Sequence, residues 1–399
     1  VTYDRREKKR IQHKWSKLVE HIASETIPTQ QLPRKLTVFL SAPPGDGLVP
    51  AREHFNEYVK PILVAAAVDW DAIEGRREGD VRAGLAERIR RLRKRSGEPG
   101  GEEEEAELED IIEAGRVRAG VTKSPEIPGD IVIGRHAWKE YVRGLHEGWL
   151  GPMDAPKQPE EPPAPPAEPI ASPQEVAEAA APSSPISTDD ASPAAASEPE
   201  KPKEEEKPKE EENKSKKKKQ PPPFNTTADY NDSLLSPNCP PALGPSAAIP
   251  LPHLLGFFNF PIRIYRFLNR RQFADEIGRQ TAAAVLATYQ PYETPGESAA
   301  LGDDNKALWE QQRILQHEEP EWHKSVRERK DDEEKERVWL DDVVLDPRIA
   351  ERMQKFVLDT DAEERAIRIS KEPIGGWWSN IWPKKEEEKR NLWQGLSDD

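Results

Sequence analysis

The 399-residue chain has one cysteine, Cys239, and two methionines. A single cysteine excludes an intrachain disulfide and any zinc site built on cysteine pairs. The eight histidines are scattered, with no ligand spacing such as H-E-x-x-H, so no metal site is expected. No apolar run reaches the roughly 18 residues needed to cross a bilayer. No domain-sized basic stretch interrupts a formal net charge of −15, which argues against wholesale nucleic-acid binding.

Proline (40 residues) and charged residues (33%) are abundant. Such a composition mixes foldable segments with ones that cannot bury enough apolar surface to offset chain entropy. The extreme case is residues 152–224, where "PKQPEEPPAPPAEP" and "EPEKPKEEEKPKEEENKSKKKKQ" specify a disordered, partly extended linker. The "KKKK" at 216–219 follows a glutamate block and reads as part of a solvated tether.

On either side of the linker the pattern is foldable. Residues 1–24 form an amphipathic helix in which Ile11, Trp15, Leu18, Val19 and Ile22 recur at helical spacing. Residues 25–151 alternate strands and helices. "KLTVFL" is a first strand, "VDWDAIEG" a second and "GDIVIG" a third, with "AREHFNEYVKPILVAAA", "EGDVRAGLAERIRRLRKR" and "HAWKEYVRGLHEGWL" as intervening helices. Pro61 divides the first of these helices. The last buries Trp138, Tyr141, Val142, Leu145 and Trp149 on one stripe. Strand–helix alternation predicts an α/β domain with a parallel sheet.

Residues 225–372 form a second ordered region, mixed α+β and helical, expected to pack on the first. There "PIRIYRFL" alternates like a strand, and "RQFADEIGRQTAAAVLA" is a helix. A long charged helical stretch runs from about Asn305 to Lys335. "VVLDPRIAERMQKFVL" is a helix capped by Asp346, with Pro347 at its first position and Ile349, Met353, Phe356 and Val357 buried. Residues 373–399 are a tail rich in tryptophan.

Several residues invite chemistry. In "PPGDGLVPAREHF", Gly45, Asp46 and Gly47 precede a helix N-terminus that could hold a phosphate. Asp46 would repel that anion, and a tight turn needing positive φ accounts equally for the glycines. Arg135 and His136 suit an acidic lipid headgroup, a partner carboxylate or a satisfied pair at a strand end. Trp377, Trp378, Trp382 and Trp393 suit a bilayer interface, a partner groove or the domain's own core. Asp69, Asp71 and Glu74 fall on the solvent side of a strand, and Cys239 lies in a proline-rich loop with no base nearby. The opening "VTYDRREKKR" fits either the flank of a removed membrane helix or an ordinary chain boundary.

The segments "YDRREKKRIQHKW", "SAPPGDGLVPAREHFNEYVKPILVAAAVDWDAIEGRREGDVR" and "IPLPHLLGFFNFPIRIYRFLNRR" resemble the fungal fifty-four-kilodalton subunits of the mitochondrial carrier translocase. The resemblance covers nearly all of the ordered chain. It implies a single membrane helix just before Val1, which would anchor this part at the inner membrane with its bulk in the intermembrane space. It also implies partners: other translocase subunits, small intermembrane-space chaperones and, indirectly, carrier precursors.

The first domain is also similar to the nucleotide-binding half of diacylglycerol and sphingosine kinases. "LSAPPGDGL" stands at their first loop, Glu74, Arg77 and Gly79 follow the second strand, and Glu140, Gly144 and Leu145 keep register in a helix. Where those enzymes carry Gly-Gly-Asp-Gly-Thr, this chain has Ile133, Gly134, Arg135, His136 and Ala137. Arginine cannot ligate the cation that phosphoryl transfer needs, and histidine is bulky where glycine lets phosphate approach. The expectation is therefore a lipid-kinase-like scaffold without catalytic residues or cofactor. The competing expectation is an enzyme or nucleotide sensor that keeps ATP or lipid binding through other residues.

Overall fold

Alternation in "KLTVFLS" sends Leu36, Val38 and Leu40 to one side of a strand and Thr37, Phe39 and Ser41 to the other, and all six are buried. A strand buried on both faces must lie inside a sheet covered by helices on each side. The computed structural model describes residues 1–100, 108–124, 127–155, 221–295, 308–327 and 336–371, and it shows that arrangement.

Six strands form one mixed sheet: β1 (Lys35–Ser41), β2 (Asp69–Gly75), β3 (Asp130–Ile133), β4 (Pro245–Ile249), β5 (Tyr289–Pro291) and β6 (Gln354–Phe356). Their order is β2-β1-β3-β4-β6-β5, and every pairing is parallel except that of β5 with β6. Strands from before residue 155 and after residue 221 thus share one ladder, with β3 paired to β4 from Asp130–Ser246 to Ile133–Ile249.

The helices are α1 (Thr2–Val19), α2 (Val49–His54), α3 (Lys60–Ala65), α4 (Asp80–Arg95), α5 (Leu108–Arg118), α6 (Arg135–Leu150), α7 (Phe260–Leu268), α8 (Arg270–Leu286), α9 (Glu310–Arg313), α10 (Lys324–Arg327), α11 (Pro347–Ala350) and α12 (Thr360–Lys371). One layer, from α1, α2, α3, α8 and α12, covers the face that carries Leu36, Val38, Leu40, Ile131 and Ile133. The other, from α4 and α6, covers Phe39 and Val132. A π-helical turn, Phe55–Val59, separates α2 from α3, which carries Pro61 in its first turn, where a missing N–H costs no helical bond.

Three segments depart from expectation. "PIRIYRFL" is the helix α7, not a strand. Its apolar residues fit both periods, but Pro261 sits in a first helical turn, where proline is tolerated. The sheet position is filled instead by Pro245–Ile249, which the sequence reading passed over. The charged stretch from Asn305 is not continuous helix where described. It is broken into α9, a 3₁₀ turn over Gln316–Glu321 and α10, with Leu315 at φ 56° and Pro320 inside the turn. The helix begun at Asp346 lasts one turn, its cap accepting from Arg348 N, before the chain extends into β6 between β4 and β5. Phe356 and Val357 therefore belong to strand and loop rather than to a helical stripe.

Candidate functional site

In open parallel sheets ligands bind beyond the carboxyl ends of the strands, where the strand order reverses. Here that point lies between β1 and β3, at Ser41 and Ile133. The first turn lies beside it. Gly45 has φ 89°, and Asp46 Oδ1 accepts from Gly47 N at 2.7 Å, so the chain's own carboxylate takes one of the amides a phosphate would use. Asp46 Oδ2 lies 3.2 Å from His253 Nε2.

After β3 the backbone passes through Gly134, at φ 88° and ψ 152°. A Cβ there would stand 2.6 Å from the His136 ring, so only glycine fits. Arg135 and His136 then open α6, and every residue of this helix from Arg135 to Leu150 is buried, beyond the single stripe expected. His136 Nε2 lies 2.9 Å from Ser41 O, and burial lowers its pKa to about 4. A neutral ring facing a carbonyl carries its proton on Nε2 and donates it. The Arg135 guanidinium, 3% exposed with its residue, donates to Glu319 Oε1 at 2.7 Å and to Ile314 O at 2.7 Å.

The N-terminus of α6 is occupied by a carboxyl group. Glu318 Oε2 accepts from Arg135 N at 2.8 Å, and its Oε1 accepts from Leu251 N at 2.7 Å. Burial pushes Glu318 up to about 7, against the pull of these N–H groups and of Arg135. The N-terminus of α4 is filled in the same way. Glu140 Oε2 accepts from Val81 N at 2.9 Å and Arg82 N at 3.3 Å, and burial raises this group to about 7 as well. Its Oε1 accepts from Trp339 Nε1 at 2.6 Å and from Ser41 Oγ at 3.3 Å.

Trp339 lies edge-on to His136, with ring centroids 5.8 Å apart. Its backbone N–H donates to Glu78 Oε1 at 3.0 Å, and its backbone carbonyl accepts from Lys139 Nζ at 2.8 Å. Two segments late in the chain, around Glu310–Glu321 and Arg337–Asp346, therefore close over the strand ends. The N-termini of α4 and α6 thus hold glutamates of the same chain, where a helix start could otherwise receive an anion. Among the described residues no group of three His, Cys, Asp or Glu is placed to hold a metal ion.

The remaining predicted residues are dispersed. Asp71 lies 3.3 Å from Lys35, and Glu74 accepts from Arg52 Nε at 2.8 Å on the β2 edge. In the basic helix α4, Arg82 pairs with Glu147, and Arg93 donates to Gly148 O and Gly151 O, both arginines being buried. Cys239 is buried, which raises its thiol pKa. Trp377, Trp378, Trp382 and Trp393 lie outside the described residues. Glu318, Glu319 and Trp339 were not anticipated. The available signal was a pair of apolar interruptions, "EPEW" and "RVWL", in an otherwise charged stretch.

The family described as "Inner membrane protein import complex subunit Tim54" matches residues 1–356. The chain belongs to that family. It is 48% identical to the mitochondrial import inner membrane translocase subunit tim54 of Aspergillus fumigatus, over 96% of this chain and 91% of the relative. To the Aspergillus oryzae protein of the same name it is 50% identical, over 96% and 88%. The more distant Saccharomyces cerevisiae relative is 25% identical over 91% and 88%. This family member has, among its described residues, no helix long and apolar enough to cross a membrane.

Proposed function

We propose that the chain is a scaffold subunit of the translocase that inserts multispanning carriers into the mitochondrial inner membrane, with this part in the intermembrane space. It supports assembly of the complex and contacts other subunits and the small chaperones that deliver precursors. Its α/β framework is that of a lipid kinase whose nucleotide crevice has been closed from within. The observation that carries this reading is Glu318 at the N-terminus of α6, its two oxygens already accepting from Arg135 N and Leu251 N. Chemistry on a nucleotide needs those donors free to position phosphate and to stabilise its developing charge.

Thermal unfolding with and without millimolar Mg·ATP tests it. A ligand at about 100 times its dissociation constant adds roughly 2.7 kcal/mol to a native state that binds it. No shift is expected. A magnesium-dependent rise would replace the scaffold with a nucleotide sensor or kinase. The assembly role is read separately, as loss of the intact complex on native gels when the subunit is depleted.

A further inference from the structure

From Ser233 to Ala274 the chain has no Asp or Glu, although its net charge is −15. Within this span lie "LLGFFNFPIRIYRFLNRR" and the arginines 263, 266, 270 and 271. The segment folds as α7 with the turn before it, and no residue of α7 is buried. Phe257 is 87% exposed and Phe258 94%, with their rings edge-to-face at 6.1 Å, and Phe260, Ile262 and Tyr265 are also exposed. Among the described residues outside this segment, Phe39, Trp138 and Tyr141 are almost wholly buried, and Tyr3 and Tyr289 are the exposed aromatics.

We infer that the Phe257–Phe258 tip and α7 form a docking element for an anionic phospholipid bilayer surface. Three features favour a bilayer over a protein groove. First, the apolar side chains are not confined to one narrow stripe, as a helix seated in a partner's groove would have them. They surround a tip and its following turn, as insertion among acyl chains requires. Second, the tip closes hydrogen bonds of its own. Phe260 N donates to Phe257 O at 3.1 Å, Arg263 N to Asn259 O at 3.0 Å and Asn259 Nδ2 to Leu255 O at 2.7 Å. Backbone entering an apolar medium must do so.

Third, the charge lies where headgroups would be. Arg266 and Arg270 are spoken for by Glu321 at 2.7 Å and Glu57 at 3.6 Å, and Arg271 lies 4.0 Å from Asp4. α7 itself carries Arg263 and Arg266 among its aromatics and no acid, the composition of helices that lie in a membrane interface, while Asp46, Glu53 and Glu276 line the groove at its side. The patch extends to the start of α1. The Arg270 guanidinium covers the Phe267 ring and that of Arg271 the Tyr3 ring, with Tyr3 and Val1 exposed. α7 lines a groove shared with Asp46 and Glu318 at the crevice, but Phe257 and Phe258 are not part of that lining, so variants at the tip test membrane docking separately from nucleotide binding.

The test is co-flotation of the whole chain with vesicles of phosphatidylcholine alone and with about a quarter replaced by an anionic phospholipid. Binding to the anionic vesicles is expected to be several-fold stronger and to weaken with salt. F257S/F258S should reduce it about tenfold with an unchanged melting temperature, since both side chains are already in water. R263Q should cut the preference for anionic lipid. A positive signal comes from Phe258→Cys on a Cys239→Ala background, labelled with an environment-sensitive dye. Its emission should shift to the blue on adding anionic vesicles. Equal flotation of parent and F257S/F258S, or an unshifted dye, would overturn the proposal. So would F257S/F258S abolishing capture of a translocase subunit while leaving vesicle binding intact, which would make the tip a protein interface.

Discussion

The indole N–H of Trp339 donates to Glu140 Oε1 at 2.6 Å, tying a loop late in the chain to the middle of a buried helix 199 positions earlier. Glu140 in turn accepts from the first amides of α4, so one carboxyl group joins three elements around the crevice. Trp339→Phe keeps most of the ring but removes the donor. A buried polar group left without its partner costs about 1–3 kcal/mol. Urea unfolding should show a loss of that size, and Trp339→Ala should lose more because a cavity is added. A variant as stable as the parent would mean that the loop does not hold the crevice closed.

Acid should destabilise the fold through His146. Its Nδ1 lies 2.7 Å from Val142 O and its Nε2 accepts from Asp346 N at 2.9 Å, so a second proton would displace that donor. Burial lowers its pKa to about 4. A group depressed in the native state contributes stability that is complete above its unfolded value near 6.5 and lost as pH falls through the native value. The parent should therefore lose up to about 3 kcal/mol relative to His146→Gln between pH 7 and pH 4. The check is the gap between their urea midpoints across that range, and a constant gap would exclude His146 as the cause.

The packing of α1 depends on a close approach. A Cβ on Gly278 would lie 2.2 Å from the Trp15 ring, and Trp15 Nε1 donates to Asp275 at 2.9 Å on the same helix. Gly278→Ala should force the indole out, costing about 1–3 kcal/mol as other overpacked cores do. Because α1 buries only Asp4, Trp15, Leu18 and Val19 of its 18 residues, limited proteolysis should then cut within residues 2–19 before the rest of the chain unfolds. Cleavage spread evenly along the chain would instead mean that α1 is integral to the core.

The sheet was readable where periodicity acts alone. Leu36, Val38 and Leu40 alternate with Phe39, and "GDIVIG" carries the short buried run of an interior strand. It failed where tertiary pairing decides. Ala247 and Ala248 in β4 have no strand propensity to speak of, and Gln354–Phe356 becomes a strand only because β4 and β5 lie on either side. For the site, Gly134, Arg135 and His136 stood out in the sequence, because glycine, arginine and histidine in a row interrupt the apolar run of a strand end. Their partners Glu318 and Trp339 did not, because contacts some 180 to 200 residues apart leave no local pattern.

Glu318 offers the sharpest test of the closed crevice. If its carboxyl group takes the place of an anion at the start of α6, removing it should leave a site for one. Glu318→Ala strips the acceptor from Arg135 N and Leu251 N, and two buried amides without partners should cost about 2–6 kcal/mol together. Millimolar formate or acetate should restore part of that loss in the variant and leave the parent unchanged, since the parent's site is full. The titration adds an independent sign. Glu318 is raised to about 7 by burial, so its contribution is complete below its unfolded value near 4.5 and lost as pH rises through the native value. The stability gap between the parent and Glu318→Gln, which has no proton to lose, should therefore narrow from pH 5 to pH 8, opposite in direction to the effect at His146. Rescue by carboxylates together with a narrowing gap would establish Glu318 as a built-in carboxyl ligand of the α6 N-terminus, held best in its protonated form. Absence of both would reduce it to a packing residue and reopen the α6 N-terminus to a ligand from outside.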